Sequence, residues 1–156
     1  MGKADTIYLV RHAKAGERRL WTGDDVDRPL SKRGWRQSKA VADRLAKKGV
    51  TDLYSSAYVR CMQTLEPLGD LVDAKVIEEP RLFEHEPFEP VLDLLGEVRG
   101  GSVLCSHGDI IPATISALHR RGMVVETPAD WGKGSIWVLS RKGKKITKGK
   151  VWPSKL

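Results

Sequence analysis

Two histidines in this chain stand directly after runs of apolar residues. Thr6-Ile7-Tyr8-Leu9-Val10 stops at Arg11-His12, and Ser102-Val103-Leu104-Cys105-Ser106 stops at His107-Gly108. A third run, Val50 to Tyr54, ends in Ser55-Ser56, with Arg60 about one helical turn further on. An imidazole can act as a nucleophile or carry a proton near neutral pH. A guanidinium keeps its charge and grips phosphate or carboxylate through paired hydrogen bonds. Singly, each residue has an ordinary structural use: Arg11 or Arg60 in a surface ion pair, His107 as a hydrogen-bonded buried ring. Together they ask for one feature, a sheet in which the three runs are parallel strands. Their carboxyl ends then share the rim where α/β folds bind ligands. The loop from Glu79 to Pro90, with Glu84, Glu86 and Glu89 around His85, could fold over that rim and supply a carboxyl group.

The intervening sequence supplies such a sheet. Ile7 to Val10 read as a strand buried on both faces. Ser31 caps a helix expected to run to about Lys48, with Trp35, Ser38, Val41, Ala42, Leu45 and Ala46 on its packed face and Gly49 ending it. A helix containing Val59, Met62 and Leu65 follows the second strand and must stop, kink or restart at Pro67. Lys75 to Glu78 form a third strand, and Val91 to Val98 a short helix closed by Gly100-Gly101. Asp109 to Arg121 form a helix with Pro112 in its first turn. Ser135 to Arg141 and Lys145 to Trp152 read as an antiparallel pair around Lys142-Gly143. This alternation predicts one α/β domain, residues 1–156, with a mainly parallel central sheet. The loop from Lys14 to Pro29 is too long for a simple connector and is expected to form a lip of the site.

At 156 residues the chain can bury a core without disulfide help. Cys61 and Cys105 each lie in apolar surroundings and read as small buried thiols, which suits a reducing, cytoplasmic setting. No apolar run approaches the ~20 residues that span a bilayer, and the chain enters its first strand too soon for a secretory leader. Met1-Gly2-Lys3-Ala4-Asp5-Thr6 matches a loose myristoylation pattern, read here as chance because Thr6 starts the strand. The net charge of +7 has a single source. Arg141, Lys142, Lys144, Lys145, Lys148, Lys150 and Lys155 account for all of it, and the rest of the chain balances. Such a segment can attract nucleic acid or anionic lipid. A hairpin whose lysines keep a sheet edge soluble explains it as well and is preferred, so no membrane or nucleic-acid partner is expected.

With these residues in place the chain resembles the histidine phosphatase superfamily, also called phosphoglycerate-mutase-like. The resemblance rests on Arg11-His12-Ala13, Arg28-Pro29-Leu30-Ser31 with Gly34, Ser55-Ser56 with Arg60, Gln63 and Thr64, Leu82-Phe83-Glu84, and Ser106-His107-Gly108. In size the chain looks most like the small SixA-like phosphohistidine phosphatase branch. Its Gly134 to Leu139 ending also resembles the phosphatase-like domain appended to some mycobacterial Nudix hydrolases, without a Nudix box.

The resemblance implies a three-layer α/β/α sandwich and a cofactor-free, metal-independent phosphatase acting on a phosphohistidine protein or a small phosphate ester. It implies His12 as nucleophile, Glu84 as general acid, and Arg11, Arg60 and His107 as phosphate-binding groups, with His107 protonated when phosphate is bound. Glu86, Asp24 and Asp25 compete with Glu84 for the acid's role. Two departures stand out: Ala13 replaces the usual glycine, and no asparagine follows the nucleophile within a few residues, leaving Lys14 or Arg18 to take its place. A short chain without a large cap implies a shallow cleft and argues against a mutase.

Three other readings use the same residues. His12, His107 and Glu84 could hold zinc or iron in a metal-dependent hydrolase, although two permanent cations beside the metal would repel it. Cys105 could be a nucleophile beside His107, although its place in the strand points it toward the core. Residues 141–156 could make the protein a non-catalytic phosphate- or nucleic-acid-binding module.

Overall fold

The computed structural model describes residues 4–155, so Met1-Gly2-Lys3 of the myristoylation pattern lie outside the described residues. The strands are β1 (Asp5–Arg11), β2 (Leu53–Ser55), β3 (Val76–Glu78), β4 (Val103–Ser106), β5 (Val124–Val125), β6 (Ile136–Lys142) and β7 (Lys145–Trp152). The helices are α1 (Lys32–Leu45), α2 (Val59–Val72), α3 (Glu89–Glu97) and α4 (Ile110–Arg120). One sheet has the order β3-β2-β4-β1-β6-β7-β5. Strands β1 to β4 run parallel to one another, and β6 alone opposes both its partners, β1 and β7. The sheet is mostly parallel, as expected.

Alternate residues of β1 face opposite layers, the period-2 pattern of a strand. Ile7 and Leu9 join α3 and α4 in one core through Leu94, Leu95, Ile110 and Ile115. Tyr8 and Val10 join α1 and α2 in the other through Val41, Leu45, Leu65 and Leu68. Two apolar layers against one sheet make the three-layer sandwich, and both faces of β1 and β4 are buried.

Several local expectations are corrected. Helix α1 begins on a Ser31 cap whose hydroxyl accepts from the Gly34 amide, but it ends at Leu45, short of Lys48. Trp35 is 37% exposed rather than packed, because its indole lies at the margin of the buried stripe. Helix α2 passes through Pro67 to Val72. Proline removes the amide that the Gln63 carbonyl would accept from, and the Ser38 hydroxyl on α1 donates to that carbonyl at 3.0 Å instead. Helix α3 starts earlier, at Glu89, with Pro90 in its first turn. The short β5, and 3-10 turns at Arg18–Leu20, Asp25–Asp27 and Pro80–Leu82, lie in segments read as loop. The hairpin forms, but β7 is partly covered by β5 and is not the free edge.

Candidate phosphoryl-transfer site

Because β1, β2 and β4 are parallel, their carboxyl ends deliver His12, Ser56 and His107 to one rim, and the first turn of α2 adds Arg60. The turn after β1 is fixed from several directions. The Ala13 amide donates to the Thr64 hydroxyl at 2.9 Å and the Lys14 amide to the Gln37 side chain at 2.9 Å. Ser31 donates to the Lys14 carbonyl at 3.1 Å. A Cβ on Gly34 would run into that carbonyl, so only glycine lets α1 approach this closely. The Leu30 amide donates to Gln63 at 2.9 Å. The Arg28–Gly34 and Gln63-Thr64 stretches therefore work mainly as scaffold beneath the turn that carries His12.

The site is a cavity of about 230 Å³ lined by Arg11, His12, Ala15, Arg18, Arg28, Arg60, Glu84, Gly108, Asp109 and Lys133. Five of these residues are cations and two are acids, so the lining attracts an anion. The predicted Arg11, His12, Arg60 and Glu84 all line it, while His107 sits just behind, its ring 5.4 Å from that of His12. His12 donates from Nδ1 to the Ala13 carbonyl, 2.7 Å away, since a carbonyl can only accept. That bond fixes the tautomer and leaves the Nε2 lone pair for chemistry. Burial pushes the His12 ring down to about 3, and Arg60, Arg11 and Lys133 add to the effect against the Ala13 hydrogen bond. It is a neutral imidazole at physiological pH.

His107 is fully buried. Its Nε2 lies 2.9 Å from the Ser56 hydroxyl and 3.5 Å from the Cys61 thiol, and Tyr58 packs edge-on at 4.7 Å. Burial, then His12 and Arg60, push it down to about 2, so this ring is neutral here. Arg60 is 1% exposed and donates from Nη1 to the Asp25 carbonyl, and from Nη2 to the Asp25 and Glu84 carboxylates at 3.1 Å each. Arg11 donates to the Trp131 carbonyl at 2.6 Å, and its guanidinium lies where a Cβ on Gly108 would come within 2.7 Å. Among the described residues, five buried side-chain atoms lack a hydrogen-bond partner, and three of them are Arg11 Nε, Arg60 Nε and His107 Nδ1. Unpaired buried donors are costly, so their concentration here marks a site built for an anion.

The competing acids are sorted by contact. Glu86 is exposed and off the cavity, and Asp24 spends its carboxylate on the Val26 amide. Burial alone would raise Asp25, but hydrogen bonds from Arg28 and Arg60 outweigh it and hold the carboxyl below its usual value. Glu84 remains the carboxyl group on the cavity wall that is most enclosed, its side chain 15% exposed. Arg18 lines the cavity and Lys14 does not. Cys105 points away into the core beside Cys61, and burial pushes its thiol up, which removes it as a nucleophile. Sequence reasoning missed Lys133 and the cavity role of Arg28. Lys133 lies between Gly132 and Gly134, a pairing that marks a turn but gives no address. Arg28 was legible only as part of a motif.

A three-layer sheet fold with a histidine at its first strand end and arginines around it defines a class of phosphoryl-handling proteins. The chain belongs to the histidine phosphatase superfamily (branch 1), whose profile matches residues 7–87. It is 38% identical over 141 residues to an 8-oxo-(d)GTP phosphatase of Mycolicibacterium smegmatis, covering 86% of this chain and 44% of that protein. The chain thus spans less than half the length of that relative. Among solved structures it is similar to a chain from Nakamurella multipartitia classed with the SixA phosphohistidine phosphatases, at a TM-score of 0.74, 25% identity and 99% coverage of both chains. The fold is also that of protein histidine phosphatase SixA complexed with tungstate, at a TM-score of 0.72 and 24% identity, covering 91% of this chain and 92% of that one. No helix among the described residues is long and apolar enough to cross a membrane.

Proposed function

We propose that the protein is a metal-independent phosphatase that passes a phosphoryl group through His12. The observation that carries this reading is the combination of unpaired buried nitrogens of Arg11 and Arg60, both lining the cavity, with a neutral imidazole, and a third such nitrogen on His107 just behind it. In the first step the His12 Nε2 lone pair forms the N–P bond while the bond from phosphorus to the leaving group breaks. Glu84 gives the leaving atom its proton. In the second step water attacks phosphorus, Glu84 takes up the water's proton, and the N–P bond breaks to release phosphate. The charge spread over the equatorial oxygens is met by the two guanidiniums, which makes electrostatic preorganisation the main source of rate.

The substrate is a phosphorylated protein, phosphohistidine included, or a small phosphate compound. The SixA likeness points to the first and the M. smegmatis relative to the second. The metal-dependent alternative is disfavoured by arrangement: no group of three or more His, Cys, Asp or Glu side chains among the described residues is placed to hold an ion. His107 is turned to Ser56, and the space before His12 is ringed by cations.

Incubation with a phosphate donor and rapid acid-free quenching should trap phosphate on His12 that is acid-labile and alkali-stable. His12→Ala should remove both the adduct and at least about 10³-fold of the rate. A phosphoenzyme that persists in His12→Ala overturns the assignment.

A further inference from the structure

Beside the phosphoryl cavity lies a second hollow of about 310 Å³, lined by Arg18, Trp21, Gly23, Asp25 and His85. The two share Arg18, and Asp25 connects them through its bonds to Arg60. Trp21 is 37% exposed, yet its ring is held rather than loose. Its Nε1 donates to the Asp24 carbonyl at 2.8 Å, and Gly23 lies so near the indole that a Cβ there would come within 3.2 Å of it. The His85 side chain is 80% exposed on a residue with φ of 68°, and its amide is fixed by the Asp109 carboxylate at 2.8 Å. An indole held by a backbone carbonyl and an exposed imidazole, its Nε2 3.3 Å from the Glu84 carboxylate, thus stand on the two loops that frame the site, and Arg18 lines both hollows.

We propose that this hollow is the leaving-group subsite and that it takes a planar heteroaromatic group joined to the transferred phosphoryl through a further phosphate, the chemistry of a nucleoside diphosphate. This rests on the phosphatase reading above and names its substrate class. Trp21 does not line the phosphoryl cavity, so a ring bonded directly to phosphorus, as in phosphohistidine, meets Glu84 and the adjoining His85 but stops short of the indole. A ring one phosphate further out lies past Arg18, whose guanidinium then meets the bridging charge. Four other cations line the first cavity. Stacking on an aromatic side chain accepts any base, because every base has a π face.

The test compares phosphate release from GDP and from glucose 6-phosphate. Trp21→Ala should lower kcat/KM for GDP about tenfold while moving glucose 6-phosphate less than twofold, and Trp21→Phe should keep most of the GDP rate. Arg18→Ala should cost more on GDP than on GMP. Calorimetric binding of GDP to His12→Ala, with and without Trp21→Ala, reads the subsite apart from turnover. Parallel losses on both substrates, no loss on either, or an equal loss on a phosphohistidine peptide overturn the subsite. If no phosphate compound is turned over in a His12-dependent way, the phosphatase reading fails instead. In that case GDP binding that Trp21→Ala does not weaken overturns the subsite as well.

Discussion

The cavity at the strand ends and the β6–β7 hairpin are both rich in cations, yet they hold them in opposite ways. On the hairpin Lys142, Lys144, Lys145, Lys148 and Lys150 face solvent, where a charge is hydrated and screened. At the cavity Arg60 and Arg28 are buried and their guanidiniums are aimed, with Asp25 and Glu84 setting their orientation. Six of the seven basic residues behind the net charge lie on the first region, and the proposed chemistry lies at the second. Convergence of buried charge, rather than its density along the chain, makes a site.

This contrast can be broken by substitution. Arg60→Ala should lower kcat by about 10²–10³-fold on p-nitrophenyl phosphate, and Arg60→Lys should not restore it, because a point charge cannot reproduce the fork. Rates within tenfold of the parent would end the distinction between the regions.

The two histidines sharpen the contrast through pH. Both are neutral when folded, at about 3 and about 2, whereas an unfolded histidine titrates near its ordinary value of about 6.5. Below that value the unfolded chain binds more protons than the folded one, so stability is lost as pH falls from about 6.5 toward 3. Urea midpoints at pH 7 and pH 4.5 should show the drop, and His107→Gln should lessen it. A pH-independent midpoint would mean that the rings are charged in place.

Gly34→Ala should cost about 1–3 kcal/mol in urea unfolding by overpacking the Lys14 carbonyl. The smallest effect belongs to the hairpin: Lys148→Ser with Lys150→Ser should change kcat/KM less than twofold. A larger change would draw the hairpin into the reaction.

The strand ends were legible because an apolar run that stops on a charged residue is a local signal. His12, Arg11 and His107 were therefore found before any contact was known. Glu84 could not be separated from Glu86 or Asp25 in that way, since the choice depends on which carboxylate Arg60 reaches across two loops. Lys133 was invisible because its neighbours in space, Arg11 and Arg28, are far away in sequence. The continuation of α2 through Pro67 was open for a related reason. Its compensation comes from Ser38, on another helix.

Arg141 heads the basic run in sequence but belongs to the framework. Its guanidinium joins Asp5 at 2.8 Å, at the start of β1, to the Leu95 and Val98 carbonyls at the end of α3. Trimming the chain before that residue would strip β7 from the sheet and leave Asp5 without its counter-ion. Loss of function in such a truncation would report collapse. The hairpin's lysines are therefore best interrogated by substitution, with this rivet left in place.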